Sequence, residues 1–179
     1  MRAVSANLEI KARCADLDAL RRRAEALATD YLGVDRQVDT YFRTASGRLK
    51  LRESSLSGGQ LVPYRRADGA GPRRSDYQVI PVPDPAGTRD LLAELLGVHR
   101  VVRKEREIFL YQNVRIHLDR VEGLGTFMEL EAVFDGAPEA EPEQQAKVDW
   151  LLAELGVQPD DLVPISYEGL LAGGDGGSA

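Results

Sequence analysis

Asn7-Leu8-Glu9-Ile10-Lys11-Ala12-Arg13 decides how the rest of the chain is read. Apolar and polar residues alternate one for one. As a strand, the segment puts Leu8, Ile10 and Ala12 on one face and Asn7, Glu9, Lys11 and Arg13 on the other. The pattern returns in Arg48-Leu49-Lys50-Leu51-Arg52, in 101–111 with Lys104 and Arg106, and in 114–121 with Arg115, His117 and Asp119. It returns again in 126–134 with Glu129 and Glu131, after the turn Gly123-Leu124-Gly125. Opposite these charges lie Leu49 and Leu51, Val114, Ile116 and Leu118, and Met128 and Leu130.

Further strands are expected over 34–44, over 60–67 (carrying Tyr64, Arg65 and Arg66) and over 75–82. Apolar residues at three- and four-residue spacing predict a helix from Asp16 or Asp18 to about Leu32, a second over 88–96 and a third over 141–155. A final helical turn is expected near 166–171, and the Gly-rich stretch 172–179 reads as a disordered tail. No linker or internal repeat interrupts the chain, so 179 residues form one domain with an ordered body over about 5–171.

The helices bear on which way the charges point. Each apolar stripe needs a surface to cover it, and the apolar face of the sheet is the surface on offer. If helices cover that face from outside, closing the sheet encloses the charged one. The expected fold is therefore α+β, a closed eight-stranded antiparallel β-barrel with helices packed outside. An open sheet with its charges in water satisfies the same pattern. Enclosing many charges is costly unless they are paired, hydrated or neutralised by a ligand, conditions that a wet tunnel or a multiply charged anion with a metal would meet.

Composition sets outer bounds. The chain is 43% hydrophobic and 29% charged, with net charge −6 and a pI near 5.0. That balance argues against a broad nucleic-acid surface, while a local cationic cluster can still hold a small anion. No stretch approaches the roughly 20 apolar residues of a membrane span. Residues 1–6 lack the apolar segment of a signal peptide, and Cys14 is the single cysteine. A cytoplasmic protein with no membrane and no nucleic-acid partner is the expectation.

The assembled segments resemble the CYTH family, the triphosphate tunnel enzymes, which include class IV adenylyl cyclases and thiamine and inorganic triphosphatases. The resemblance runs over roughly residues 5–135, in the family's order: Asn7-Leu8-Glu9-Ile10-Lys11, 48–52, Lys104-Glu105-Arg106, 115–119 and 123–131. Asn7 stands where the family usually carries the first glutamate of Glu-x-Glu-x-Lys. The resemblance implies a divalent-metal-dependent enzyme acting on a small-molecule triphosphate, with Mg²⁺ or Mn²⁺ as cofactor, and family members often pair as homodimers. By resemblance, Lys50, Arg52, Lys104, Arg106 and Arg115 hold phosphates, joined by Arg65 or Arg66; alternation leaves open which of these two points inward. Lys11 becomes the candidate for stabilising charge that develops as the bond breaks. Glu9, Glu129 and Glu131 become metal ligands, with Asp119 as a further ligand or its supporting partner. Glu129 and Glu131 share one face and repel unless something positive lies between them.

Two reactions fit such a site: cyclisation of ATP to cyclic AMP with release of pyrophosphate, and hydrolysis of thiamine triphosphate, inorganic triphosphate or a nucleoside triphosphate. The adenylyl-cyclase-like reading leads. A non-catalytic triphosphate or polyphosphate binder is a third reading, motivated by Asn7, and a scaffold with solvated polar strands a fourth.

Overall fold

The computed structural model describes residues 5–66, 73–135 and 137–174. Among these residues nine strands form one antiparallel sheet: β1 (Ser5–Arg13), β2 (Asp30–Phe42), β3 (Arg48–Ser54), β4 (Gly58–Arg66), β5 (Arg73–Tyr77), β6 (Ile80–Val82), β7 (Val98–Tyr111), β8 (Val114–Val121) and β9 (Gly125–Phe134). Four helices join them: α1 (Leu17–Leu27), α2 (Pro85–Leu96), α3 (Glu141–Leu155) and α4 (Tyr167–Gly174). The hydrogen-bonded order is β3-β2-β7-β8-β9-β1-β5-β4-β6, and β3 pairs with β4 as well. The sheet therefore curls strongly, with β3 and β4 in register from Arg48 opposite Tyr64 to Ser54 opposite Gly58.

This corrects the strand count from eight to nine. The stretch expected as one strand over 75–82 breaks at Gln78 and Val79 into β5 and β6. β5 meets the Tyr64–Arg66 end of β4, whereas β6 meets Gly59–Leu61 near its start. Periodicity cannot see that break, because Gln78 keeps its backbone satisfied by donating to the Pro63 carbonyl at 3.3 Å.

The first helix also ends earlier than expected, at Leu27. Its start is set by Asp16, whose side chain accepts from the Ala19 amide at 2.8 Å. Its end is set by competition from β7, which is long enough to pair Asp30 with Leu110 and Tyr31 with Phe109. Ladder pairing outweighs another helical turn there. The Asp84 side chain caps α2 and Pro85 stands in its first turn, so that helix begins earlier than expected. α4 extends to Gly174, into the stretch read as tail; 175–179 lie outside the described residues.

The two faces of the sheet separate as the alternation predicts. Leu8, Ile10 and Ala12 of β1, Val114, Ile116 and Leu118 of β8, and Met128, Leu130 and Ala132 of β9 are buried against Leu20 and Ala24 of α1 and Val148, Leu151 and Leu155 of α3. Ile10 faces Leu130 and Ile116 faces Leu130 across the ladders, so one continuous apolar layer lies under the helices. The other face encloses the charged residues. A second cluster of Tyr41, Val102, Val121 and Phe127, packed with Val163 and Tyr167, fills one end of that enclosed side.

Candidate functional site

The inner face surrounds a cavity of about 410 Å³. One of its walls is cationic. Lys50 and Arg52 leave β3 two residues apart, Lys104 leaves β7, and all three turn to Asp39 of β2. Arg52 grips that carboxylate in a two-pronged pair, with Nε and Nη2 each 2.7 Å from its oxygens. Lys50 Nζ donates to Asp39 Oδ2 at 3.2 Å, and Lys104 Nζ stands 3.8 Å away. Burial would raise the Asp39 carboxyl, but Arg52 and Lys50 hold it well below the usual carboxylate range. Burial and the neighbouring Arg106 bring the Lys104 ammonium down to about 7.

The facing wall, from β1, β8 and β9, is rich in carboxylates. Cross-strand register sets Glu9 beside Glu131 and Lys11 beside Glu129. It also sets Arg115 beside Glu131 and His117 beside Glu129. Lys11 Nζ donates to Glu129 Oε2 at 2.7 Å, and Arg106 Nη2 reaches Glu129 Oε1 at 3.1 Å. Burial would raise the Glu129 carboxyl; Lys11 and Arg106 keep it well below its ordinary value. Burial, with Arg106 nearby, lowers the His117 imidazole, so it is neutral at pH 7. Its Nδ1 lies 3.4 Å from Glu129 Oε1, the contact of a positioned ring. Glu131 accepts from Asn7 Nδ2 at 2.6 Å and from Arg115 Nη1 at 3.2 Å.

Most of the residues singled out in the sequence meet here. Lys11, Lys50, Arg52, Lys104, Arg106, Arg115, Glu9, Glu129 and Glu131 all line the one cavity. Asp119 does not. It is fully buried behind Arg106, its two oxygens accepting from that guanidinium at 2.7 and 2.6 Å and one also from the Tyr167 hydroxyl at 2.7 Å. It positions Arg106. Arg65 and Arg66 end β4, but their side chains lie outside the described ones.

Three residues escaped the sequence reading. Asp39 organises the cationic wall, and its signal was present: it shares a strand face with Tyr41 in β2. Asp35 is buried on the same face and accepts from Gln37, Ser54, Ser55 and the Leu56 amide. Tyr167 gave no signal, because only the fold brings α4 under the cavity, where its ring lies 4.3 Å from Lys11 Nζ.

The CYTH domain family matches residues 5–167. The chain belongs to the CYTH family. A curated relative from Methanocaldococcus jannaschii, named as a candidate adenylate cyclase, is 26% identical over 171 residues, covering 89% of this chain and 95% of its own. The PH1012 protein of Pyrococcus horikoshii is a solved structure 27% identical, with TM-score 0.79, covering 92% of this chain and 98% of that one. A Hippeastrum protein at 18% identity shares the fold, with TM-score 0.64 over 95% of this chain and 96% of its own.

CYTH enzymes generally depend on a divalent metal, and the donor set here fits one. Among the described residues no three acidic, histidine or cysteine side chains already converge on one point. Yet Glu9 and Glu131 are cross-strand neighbours lining the cavity, and the adjacent Asn7 Oδ1 is buried with no hydrogen-bond partner. Two carboxylates and an amide oxygen are the hard ligands that Mg²⁺ or Mn²⁺ takes beside phosphate oxygens and water.

Proposed function

We propose that this CYTH protein is a divalent-metal-dependent enzyme acting on organic or nucleoside triphosphates, converting ATP to cyclic AMP and pyrophosphate. The observation that carries this reading is the cationic wall: Lys50, Arg52 and Lys104 face one cavity and share a single carboxylate. A triphosphate, with about four negative charges, supplies the anion such a wall lacks. The β3–β4 pairing supports a further reading, that eight of the strands close into a tunnel with β6 added outside the ring.

In this scheme Lys50, Arg52, Lys104 and Arg106 bind the phosphates, with Arg115 at the edge and Arg65 or Arg66 completing the set. Asp119 fixes the Arg106 guanidinium plane from behind. Glu9, Glu129 and Glu131, with Asn7 Oδ1, would hold the metal, which when bound neutralises phosphate charge and orients the reacting phosphorus. The ribose hydroxyl attacks the α-phosphorus in line and gives its proton to water, and the α–β bridging oxygen departs with pyrophosphate. Lys11 stabilises the charge that builds on phosphate oxygens during that step.

A second reading is hydrolysis, in which water attacks the terminal phosphorus across the same cations. It draws support from the Hippeastrum protein, a candidate adenylyl cyclase with a dominant triphosphatase activity. Incubating the protein with ATP and Mn²⁺ or Mg²⁺ tests both. Cyclic AMP with pyrophosphate supports cyclisation, and orthophosphate supports hydrolysis. Tight binding without either product sinks the enzymatic reading and leaves a triphosphate binder.

A further inference from the structure

The mouth of the cavity differs in chemistry from its depths. β2 gives the order, because its inner face presents Asp35, Gln37, Asp39 and Tyr41 in succession toward the end filled by Tyr167. Asp39 gathers the phosphate-binding cations, so the Asp30 end of β2 marks the mouth. There Leu32, Leu56 and Val79 line the cavity while 47%, 54% and 42% exposed, with Ile108 beside them. They come from the start of β2, the β3–β4 turn and the break between β5 and β6. An aliphatic rim assembled from three separate segments is unexpected over a site whose interior is charged.

Leu32 reaches that rim only through an irregularity in the strand. Strict alternation inward from Asp35 would aim residue 33 at the cavity and Leu32 away from it. Pairing instead steps from Tyr31 opposite Phe109 to Gly33 opposite Ile108, leaving Leu32 as an extra residue in a bulge. Gly33 takes φ 99°, a conformation glycine tolerates. Bulges of this kind re-aim a side chain. Here the re-aimed side chain is a leucine lining a polar cavity.

Between rim and cations sits Gln37. Its Nε2 donates to Asp35 Oδ2 at 2.6 Å, which fixes the amide. Its Oε1 is buried, lacks a hydrogen-bond partner and belongs to a side chain lining the cavity. Whatever part of a ligand passes this level must bring a donor to satisfy it.

We propose that the aliphatic rim of Leu32, Leu56, Val79 and Ile108 seats the ring of a nucleoside triphosphate, whose sugar hydroxyls pass Gln37 Oε1. The protein thus selects nucleoside triphosphates over inorganic triphosphate. This rests on the triphosphate reading above and assigns the residues that recognise the nucleoside within it. An inorganic triphosphate would fill the cations and leave both the rim and Gln37 without use.

Calorimetric affinities for ATP, thiamine triphosphate and inorganic triphosphate, which read binding whether ATP is cyclised or hydrolysed, test the idea on wild type, the double variant Leu56→Ser with Val79→Ser, and Gln37→Met. Wild type should bind ATP tenfold or more tighter than inorganic triphosphate. The double variant should lose roughly tenfold in affinity for ATP. Its affinity for inorganic triphosphate should hold, which also shows that it folds. Gln37→Met should bring the affinity for ATP down toward that for thiamine triphosphate, whose linker carries no hydroxyl. Equal losses on ATP and inorganic triphosphate, or a wild-type preference for the inorganic substrate, overturn the inference while leaving triphosphate chemistry intact. No turnover and no calorimetric binding of any triphosphate removes the functional reading, and the inference with it.

Discussion

The two walls of the cavity are built alike and charged differently. Across β2, β3 and β7, three cations share Asp39. Across β1, β8 and β9, three carboxylates at positions 9, 129 and 131 are met by Lys11 and Arg115, with Arg106 reaching over from β7. Both walls follow from the same period-two alternation. The difference teaches that charge balance inside a curled sheet is settled between walls. One side has more cations than carboxylates, the excess that the proposed function assigns to phosphates, and the other sets carboxylates and cations against one another.

The largest effect should come from the carboxylate wall. Glu131→Ala or Lys11→Met should cut turnover of a triphosphate by on the order of 100-fold or more, measured as product release in Mn²⁺. If Glu131→Ala turns over normally, the division of labour between the walls is wrong. Next, Asp39→Asn should lower stability by roughly 3–5 kcal/mol, because it strands buried cations without their partner. That is a fall in Tm on the order of 10 °C, read by calorimetry. Added triphosphate should raise the Tm of this variant more than that of wild type, since the anion replaces the missing charge.

A smaller effect concerns Lys104, held at about 7 when unliganded. The group is depressed from the ordinary lysine value, so it loses its proton in the folded protein as pH rises through 7, while the unfolded chain keeps it. Relative stability from this residue is therefore greatest above the ordinary lysine value of 10.5, declines as pH falls from there to about 7, and is level below that. Phosphate binding runs the other way: it needs the charged form. Triphosphate affinity should fall between pH 6.5 and 9, and binding at pH 8 should take up close to one proton, visible as a buffer-dependent enthalpy. Lys104→Met should abolish that uptake. The smallest change is Asn7→Glu, which adds a carboxylate beside Glu131 and should tighten Mn²⁺ binding severalfold, measured by metal titration.

Legibility in the sequence followed the physics of each element. β8 was read correctly in phase because Arg115-Ile116-His117-Leu118-Asp119 alternates without interruption and both of its faces are buried by different neighbours. β5 and β6 read as one strand because a two-residue break leaves no compositional mark. Tyr31 reads as part of the first helix because it falls on the apolar stripe; it pairs instead with Phe109, whose ring centroid lies 4.9 Å from its own. Asp119 was correctly placed on the inner face, but its depth depended on Arg106 and Tyr167, which approach it from two other elements.

Alternation along the strands and helical spacing by themselves determined that leucines and charges take opposite faces of the strands and that the helices carry apolar stripes, because both periods are local properties of the backbone; that the charges face one another came from the curling of the sheet. The resemblance to the CYTH family lay in motifs that keep their order, and the family match over residues 5–167 bore it out. Tertiary structure alone decided which carboxylate serves which cation, where α4 fills the enclosed side, and that a bulge turns Leu32 inward. Those outcomes depend on sheet curvature and strand register, which bring together residues as far apart as Asn7 and Glu131.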